Sequence, residues 1–219
     1  MHHKHPSESN PGFLPAMSGK YGLHLYDPLI RVTLREYSFK RRLIHHAQLS
    51  PQVRVLDAGC GTGTLLSLVE ASCPGARLAG IDPDDRILRR ACAKTSTPLS
   101  RATAARLPFP AGAFDCVFAT LVFHHLLPEE KSQAFGEILR VLRPGGWLHA
   151  ADFGKPRNWL MRVMGKLVQM EDGEERTREC FTGLVPALLR RSGFRPVQEW
   201  EHRTTLFGTL VLFSAQKPE

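Results

Sequence analysis

The chain has 219 residues, a net charge of +8, and 42% hydrophobic and 23% charged residues, an ordinary globular composition. That length suits one α/β domain with a small insertion, and no apolar run approaches the roughly 18 residues that a membrane-spanning helix needs. The five cysteines, Cys60, Cys73, Cys92, Cys116 and Cys180, are odd in number and contain no C-x-x-C pair. They indicate neither a zinc site nor a disulfide framework, and they suit a reducing cytoplasm.

Residues 1–20, MHHKHPSESNPGFLPAMSGK, lack the apolar stretch of a secretory signal and read as a flexible tail. His2, His3 and His5 are read as tail residues, not as metal ligands. The remainder, 21–219, is expected to form a single domain. It opens with an N-terminal helical segment, 21–50, whose helix is predicted over 27–49 with Pro28 in the first turn. This segment is basic: Arg31, Arg35, Lys40, Arg41 and Arg42 stand against Glu36. Such a face is either solvated or meets an anion, including an anionic membrane. It lacks the interleaved aromatics of an RNA reader, so nucleic acid is not an expected partner.

A cofactor-binding core is predicted over 53–153. VRVLDA (53–58) reads as a buried strand, and the helix over 62–73 is stopped by Pro74 and Gly75. A second strand spans 76–82 and a helix 83–94. A weak strand, PLSRATA, and a stronger one at 114–120 follow. In the helix over 128–142, Phe135, Ile138, Leu139 and Leu142 keep helical spacing, and PGG ends it. The last strand of this series is expected at 147–153. Strands alternating with helices predict a doubly wound, mostly parallel α/β sheet.

Residues 154–181 exceed what such a sheet needs. PRNWLMRVMGKLVQM reads as a helix with Trp159, Val163, Leu167 and Met170 on one side, beside Leu160, Met164 and Val168. Arg157, Arg162 and Lys166 lie apart from them. The segment follows a strand's carboxyl end, where open sheets bind ligands, so a lid is expected; core packing and a membrane-surface helix are the alternatives. EDGEERTRE reads as a solvated turn and helix start. A terminal helix over 182–192 and two strands, GFRPVQEWE and RTTLFGTLVLFSAQ, complete 182–219. Joined by a short turn, these strands predict an antiparallel edge.

The chemistry concentrates in VLDAGCGTGTLL, where Gly59, Gly61 and Gly63 follow Asp57 at a strand-to-helix turn. Glycine there permits positive φ and close ligand approach. The spacing G-x-G-x-G is not the dinucleotide fingerprint, and the missing G-K-[ST] excludes a P-loop. Asp57 would repel a pyrophosphate but attract an amine. A second acid, Asp82, closes the next strand, where it can take both ribose hydroxyls. The two acids together indicate a nucleoside ligand without phosphate.

These residues resemble the class I S-adenosylmethionine-dependent methyltransferases. VLDAGCGTG is similar to that family's first motif and GIDPDDRIL to its second, with ARLPFPAGAFDCVFATLVFHHL and EILRVLRPGGWLHAADF completing the series. The resemblance runs over 53–153. It is strongest to the branch of ubiquinone/menaquinone-biosynthesis C-methyltransferases and other small-molecule methyltransferases. It implies a seven-stranded Rossmann-like sheet with the last strand antiparallel. It further implies S-adenosyl-L-methionine as cofactor, S-adenosyl-L-homocysteine as product, and a small-molecule acceptor such as a quinone, phenol, amine or lipid.

Carried onto this chain, the resemblance puts Gly59, Gly61 and Gly63 around the methionine part of the cofactor, with Cys60 as a small residue in the bend. Asp57 faces the amino group, Asp82 the ribose and Pro83 the adenine. Thr103 stands where many relatives have an adenine-binding acid, and Ala104 offers its backbone N–H. Thr120 and Leu121 lie beneath the sulfur, and Tyr26, with Tyr21 and His24, closes over the cofactor. His124 and His125 follow the fourth strand and are the candidate bases. No metal ligand set is expected. A NAD-dependent oxidoreductase and a non-catalytic S-adenosylmethionine-binding regulator are the competing readings. The acceptor atom and the oligomeric state have no sequence signal.

Overall fold

The computed structural model describes residues 35–219. The expected tail, the start of the first helix and Tyr21, His24 and Tyr26 lie outside the described residues. The first described helix, α1, is Glu36–Ala47. Its Phe39 and Leu43 are buried in the core, each contributing about 1.5–3 kcal/mol by the usual burial scale.

The strands are β1 (Arg54–Ala58), β2 (Arg77–Asp82), β3 (Leu99–Arg101), β4 (Phe114–Thr120), β5 (Leu142–Phe153), β6 (Val197–Thr205) and β7 (Gly208–Gln216). They form one sheet in the order β3-β2-β1-β4-β5-β7-β6. Strands β1 to β5 pair in parallel. Strand β7 runs antiparallel to both β5 and β6, as the terminal hairpin requires. The helices after α1 are α2 (Thr64–Ser72), α3 (Asp85–Ala91), α4 (Pro128–Val141), α5 (Trp159–Asp172), α6 (Glu174–Phe181) and α7 (Val185–Arg191). The sheet interior is almost wholly aliphatic and aromatic, with Val55, Leu56, Val117, Phe118, Leu148 and Leu212 buried.

The structure moves several predicted boundaries. β5 begins at Leu142, not at 147, because Phe114 pairs with Leu142 before Cys116 pairs with Trp147. The PGG turn is therefore a bulge inside the strand, anchored by Arg143 Nε donating to Asp115 Oδ1 at 2.6 Å. Strand β3 stops at Arg101, so Thr103 and Ala104 belong to the turn beyond it. Helix α3 starts two residues later than expected, because the Asp84 side chain caps it by accepting the Arg86 N–H. EDGEERTRE supplies α6, and Thr177 and Cys180 on that helix are buried. Lys131 of α4 is fully buried and ties α6 in place, its Nζ donating to Glu179 Oε2 at 2.9 Å and to the Arg176 carbonyl.

Helix α5 packs inward through Met161 and Gly165. A Cβ on Gly165 would stand 2.5 Å from Phe181 Cε1, so only glycine lets α5 and α6 approach this closely. The stripe Trp159, Val163, Leu167 and Met170 faces outward, against the plain core-packing alternative.

Candidate functional site

The parallel register brings the carboxyl ends of β2, β1 and β4 side by side, with Ala58 opposite Ile81 and Asp57 opposite Phe118. The turn after β1 is pinned to β2 by the Gly59 and Cys60 N–H groups, which both donate to the Ile81 carbonyl at 2.9 and 2.8 Å. Gly59 has φ +93°, and a Cβ there would sit 2.4 Å from Val122 Cγ2 in the loop after β4. Gly61 has φ +53°, and an added Cβ would meet nothing within 4 Å. One glycine admits the neighbouring loop, and the other leaves the turn open to a ligand.

Asp82 joins the two strand-end motifs. Its Oδ2 accepts the Gly61 N–H and its Oδ1 the Asp84 N–H, each at 3.0 Å. Burial raises its carboxyl above the usual range, while these donors pull it back. Each oxygen still has a lone pair for a ligand hydroxyl. Pro83 is half-buried beside it, and its carbonyl accepts Arg101 Nε at 3.3 Å. The Ala102 N–H donates to the Asp82 carbonyl at 3.3 Å, which holds the Thr103–Ala104 turn next to this strand end. Thr103 is half-buried and Ala104 buried.

Asp57 is fully buried, and neither carboxylate oxygen has a hydrogen-bond partner. Burial pushes its carboxyl up to about 7; Lys40 opposes this, while Asp82 and Glu36 add to it. Unsatisfied buried polar atoms are rare and costly, by about 1–3 kcal/mol or more for a charged group. A ligand ammonium at this point would satisfy both oxygens. The unpartnered acid and the open side of Gly61 thus fit the amino-acid end of S-adenosylmethionine. Lys40, expected on a solvated or anion-facing helix surface, is buried instead, donating from Nζ to Glu36 Oε1 at 2.6 Å. The Glu–Lys spacing of four residues was the available signal for that pair.

Cys60 lies buried in the bend, and burial, then the charges of Asp57 and Asp82, push its thiol far above the ordinary range. It is a small residue in a tight turn, not a nucleophile.

At the end of β4, Thr120 is buried and Leu121 adopts φ +58°, a left-handed conformation uncommon for a branched residue. The Leu121 N–H donates to the Ala151 carbonyl at 2.8 Å, which holds the turn. A 3₁₀ turn, Phe123–His125, follows. Asp152, near the end of β5, organises it. Its Oδ2 accepts the Val122 and Phe123 N–H groups at 3.1 and 2.7 Å. Its Oδ1 accepts the Phe153 N–H at 2.7 Å and His124 Nδ1 at 2.6 Å.

His124 is buried, and its Nε2 lies 3.8 Å from Asp172 Oδ2 at the end of α5. His125 Nδ1 lies 3.0 Å from Asp172 Oδ1. The imidazole centroids are 3.9 Å apart. Burial works against a charge on His124, but Asp152, then Asp172, hold its imidazole above the usual range. Burial, then the neighbouring His124 charge, lower His125. The two imidazoles are thus shifted in opposite directions, His124 toward its charged form and His125 toward its neutral form. Donation of Nδ1–H to Asp172 leaves His125 Nε2 as a lone-pair site.

Sequence reasoning missed Asp152 and Asp172. Asp152 had a signal, since it is a third acid at the end of an apolar strand. Asp172 had none, because it reaches the site only through the packing of α5.

Residues 56–150 match the family described as "Methyltransferase domain". Over these residues the core is similar to a methyltransferase domain. S-adenosylmethionine is the cofactor of such a domain. Among curated relatives, an uncharacterized methyltransferase of Synechocystis is 32% identical over 128 residues, 57% of this chain and 58% of the relative. A demethylmenaquinone methyltransferase of Thermus thermophilus is 37% identical over 123 residues, 54% of this chain and 55% of the relative. The match therefore spans little more than half the length of these relatives. Among solved structures, a SAM-dependent methyltransferase of Thermotoga maritima superposes with a TM-score of 0.71. That superposition covers 90% of this chain and 96% of the other at 18% identity, a likeness of fold.

Proposed function

We propose that this chain transfers a methyl group from S-adenosylmethionine to a small-molecule acceptor with an apolar body, of the quinone or phenol class. The unpartnered, buried Asp57 carboxylate beside the open Gly61 turn carries this reading. When bound, the cofactor supplies a methyl group already activated on a sulfonium. Asp57 pairs with its amino group, and Asp82 accepts from its ribose hydroxyls. Pro83, Thr103 and Ala104 border the adenine side. Thr120 and Leu121 support the end that carries the sulfur. Alignment of the acceptor and exclusion of water are then the main work of the protein.

His125 is the proposed base for an acceptor O–H or acidic C–H, its tautomer set by Asp172. His124, with Nδ1 committed to Asp152, positions the loop after β4. This base-and-orienter pair favours catalysis over a purely regulatory binding role. The menaquinone-related name of the Thermus relative supports the acceptor class. Residues 154–181 serve as the acceptor-side lid. Free cysteines, and the absence of any membrane-crossing helix among the described residues, support a cytoplasmic location.

The test is turnover with labelled methyl donor against quinols, phenols, amines and lipids. Label should enter a quinol or phenol. Incorporation confined to amines would overturn the acceptor assignment, and none into any class would favour the non-catalytic reading.

A further inference from the structure

We infer that the outward face of α5 docks on an anionic membrane surface, which would set the lid over the site against the bilayer that holds an apolar acceptor. This deepens the methyltransferase reading and rests on it for the acceptor alone. Four large apolar residues lie along one side of the helix, with Trp159 75%, Val163 52%, Leu167 52% and Met170 82% exposed. The opposite side of α5 is already used by Met161 and Gly165. The exposed stripe is therefore not a core face left over from folding.

The charges beside the stripe select the occupant. Lys155, Arg157, Arg162 and Lys166 are exposed, and among the described residues none forms an ion pair. On the helical projection, Arg162 and Lys166 border the Trp159 edge of the stripe. The acids Glu171, Glu174 and Glu175 gather at the far end, beyond the last apolar residue. An apolar stripe with a basic border and an outward tryptophan is the pattern of a helix lying in the bilayer interface. A second copy of the chain would bring the same cations together, which disfavours self-association through this face.

The far end of α5 connects this surface to the site. Asp172, its last residue, holds His125 at 3.0 Å. Asp172 lies on the inward side of α5, opposite the stripe, so a helix seated on lipid would stand between the bilayer and the His125 side of the site.

The experiment is sedimentation of the full chain with vesicles containing phosphatidylglycerol and with pure phosphatidylcholine vesicles, without methyl donor. Wild type should pellet with the anionic vesicles, and its tryptophan emission should shift to the blue, a shift lost in Trp159→Phe. Val163→Asp combined with Leu167→Asp should cut pelleting at least tenfold. Arg162→Gln combined with Lys166→Gln should cut it roughly thirtyfold on anionic vesicles, given about 1 kcal/mol per basic residue near such a surface. These side chains are exposed, so melting temperature and S-adenosylhomocysteine affinity should remain those of the wild type. Wild type left in the supernatant, or the apolar double variant pelleting unchanged, would overturn the inference. So would a mass doubling in solution that the apolar double variant abolishes while vesicle binding is absent. Since no donor is present, failure here is separate from failure of the methyl-transfer reading.

Discussion

The Asp82 carboxylate accepts the Gly61 N–H at 3.0 Å. This bond joins the glycine turn after β1 to the acid at the end of β2, so the residue that shapes the cradle is also the one proposed to hold the nucleoside. Asp82→Ala should weaken S-adenosylhomocysteine by about 1.5–3 kcal/mol, the usual worth of a hydrogen bond to a charged group. Calorimetric titration reads this directly. Unchanged affinity would remove Asp82 from the site.

In its proposed role, Asp57 should make cofactor binding depend on pH. Its carboxyl, pushed up to about 7 by burial, must lose its proton to pair with a ligand ammonium. Affinity should therefore rise through neutrality and level off above it, and be about tenfold weaker at roughly pH 6 than at roughly pH 8. Asp57→Asn should bind weakly and show no such slope. Without ligand the sign is opposite, because the folded state holds the proton more tightly than the unfolded chain. Wild-type stability attributable to Asp57 should fall from about pH 4 to about pH 7 and then stay level. Urea titrations of wild type and Asp57→Asn across that range check the second part.

Gly59 and Gly61 should respond differently to alanine. At Gly59 the new Cβ meets Val122 at 2.4 Å, so Gly59→Ala should destabilise the fold by roughly 1–3 kcal/mol. At Gly61 nothing of the protein is in the way. Gly61→Ala should lose only about 1–2 kcal/mol of stability to its left-handed backbone, but at least tenfold in cofactor affinity. Melting and titration on the two variants separate these effects. Equal losses of affinity without the difference in stability would contradict the assignment of Gly61 to the ligand side.

The Asp152–His124 pair should be most stabilising in mildly acid solution. His124 is raised from 6.5, so its contribution is complete below that value and is lost as pH rises through the folded value. Asp152 is lowered from 3.8, since its bonds to His124 outweigh burial, so its contribution is lost as pH falls through the folded value. The cost of Asp152→Ala should be largest between these limits, about 3–5 kcal/mol for a broken buried pair. Urea unfolding of wild type and variant at about pH 5.5 and about pH 9 should show the difference shrinking at the higher pH.

Asp172→Asn should leave S-adenosylhomocysteine binding intact and lower turnover roughly a hundredfold, with the pH–rate profile displaced. The expectation follows from the 3.0 Å contact that sets the His125 tautomer. A fall in KM alone, with turnover unchanged, would show that Asp172 only latches the lid.

Much of this architecture was legible in the residues. Alternating strands and helices, and two acids at strand ends around a glycine turn, are local patterns, and each strand's hydrophobicity needs only its own neighbours to be read. What escaped was tertiary. PGG reads as a stop, yet Arg143 reaching Asp115 folds it into a bulge of β5. Lys40 belongs to a basic run, yet its helix turns it inward onto Glu36. Asp172 meets His125 across 47 positions of sequence, through helix packing that no periodicity records.

The central measurement is calorimetric titration of the full chain with S-adenosylhomocysteine and, separately, with NAD. A cradle closed by Asp57, Gly61 and Asp82 requires one S-adenosylhomocysteine per chain, weakened in Asp57→Asn, and no heat from NAD. Binding of NAD with none of S-adenosylhomocysteine would contradict it.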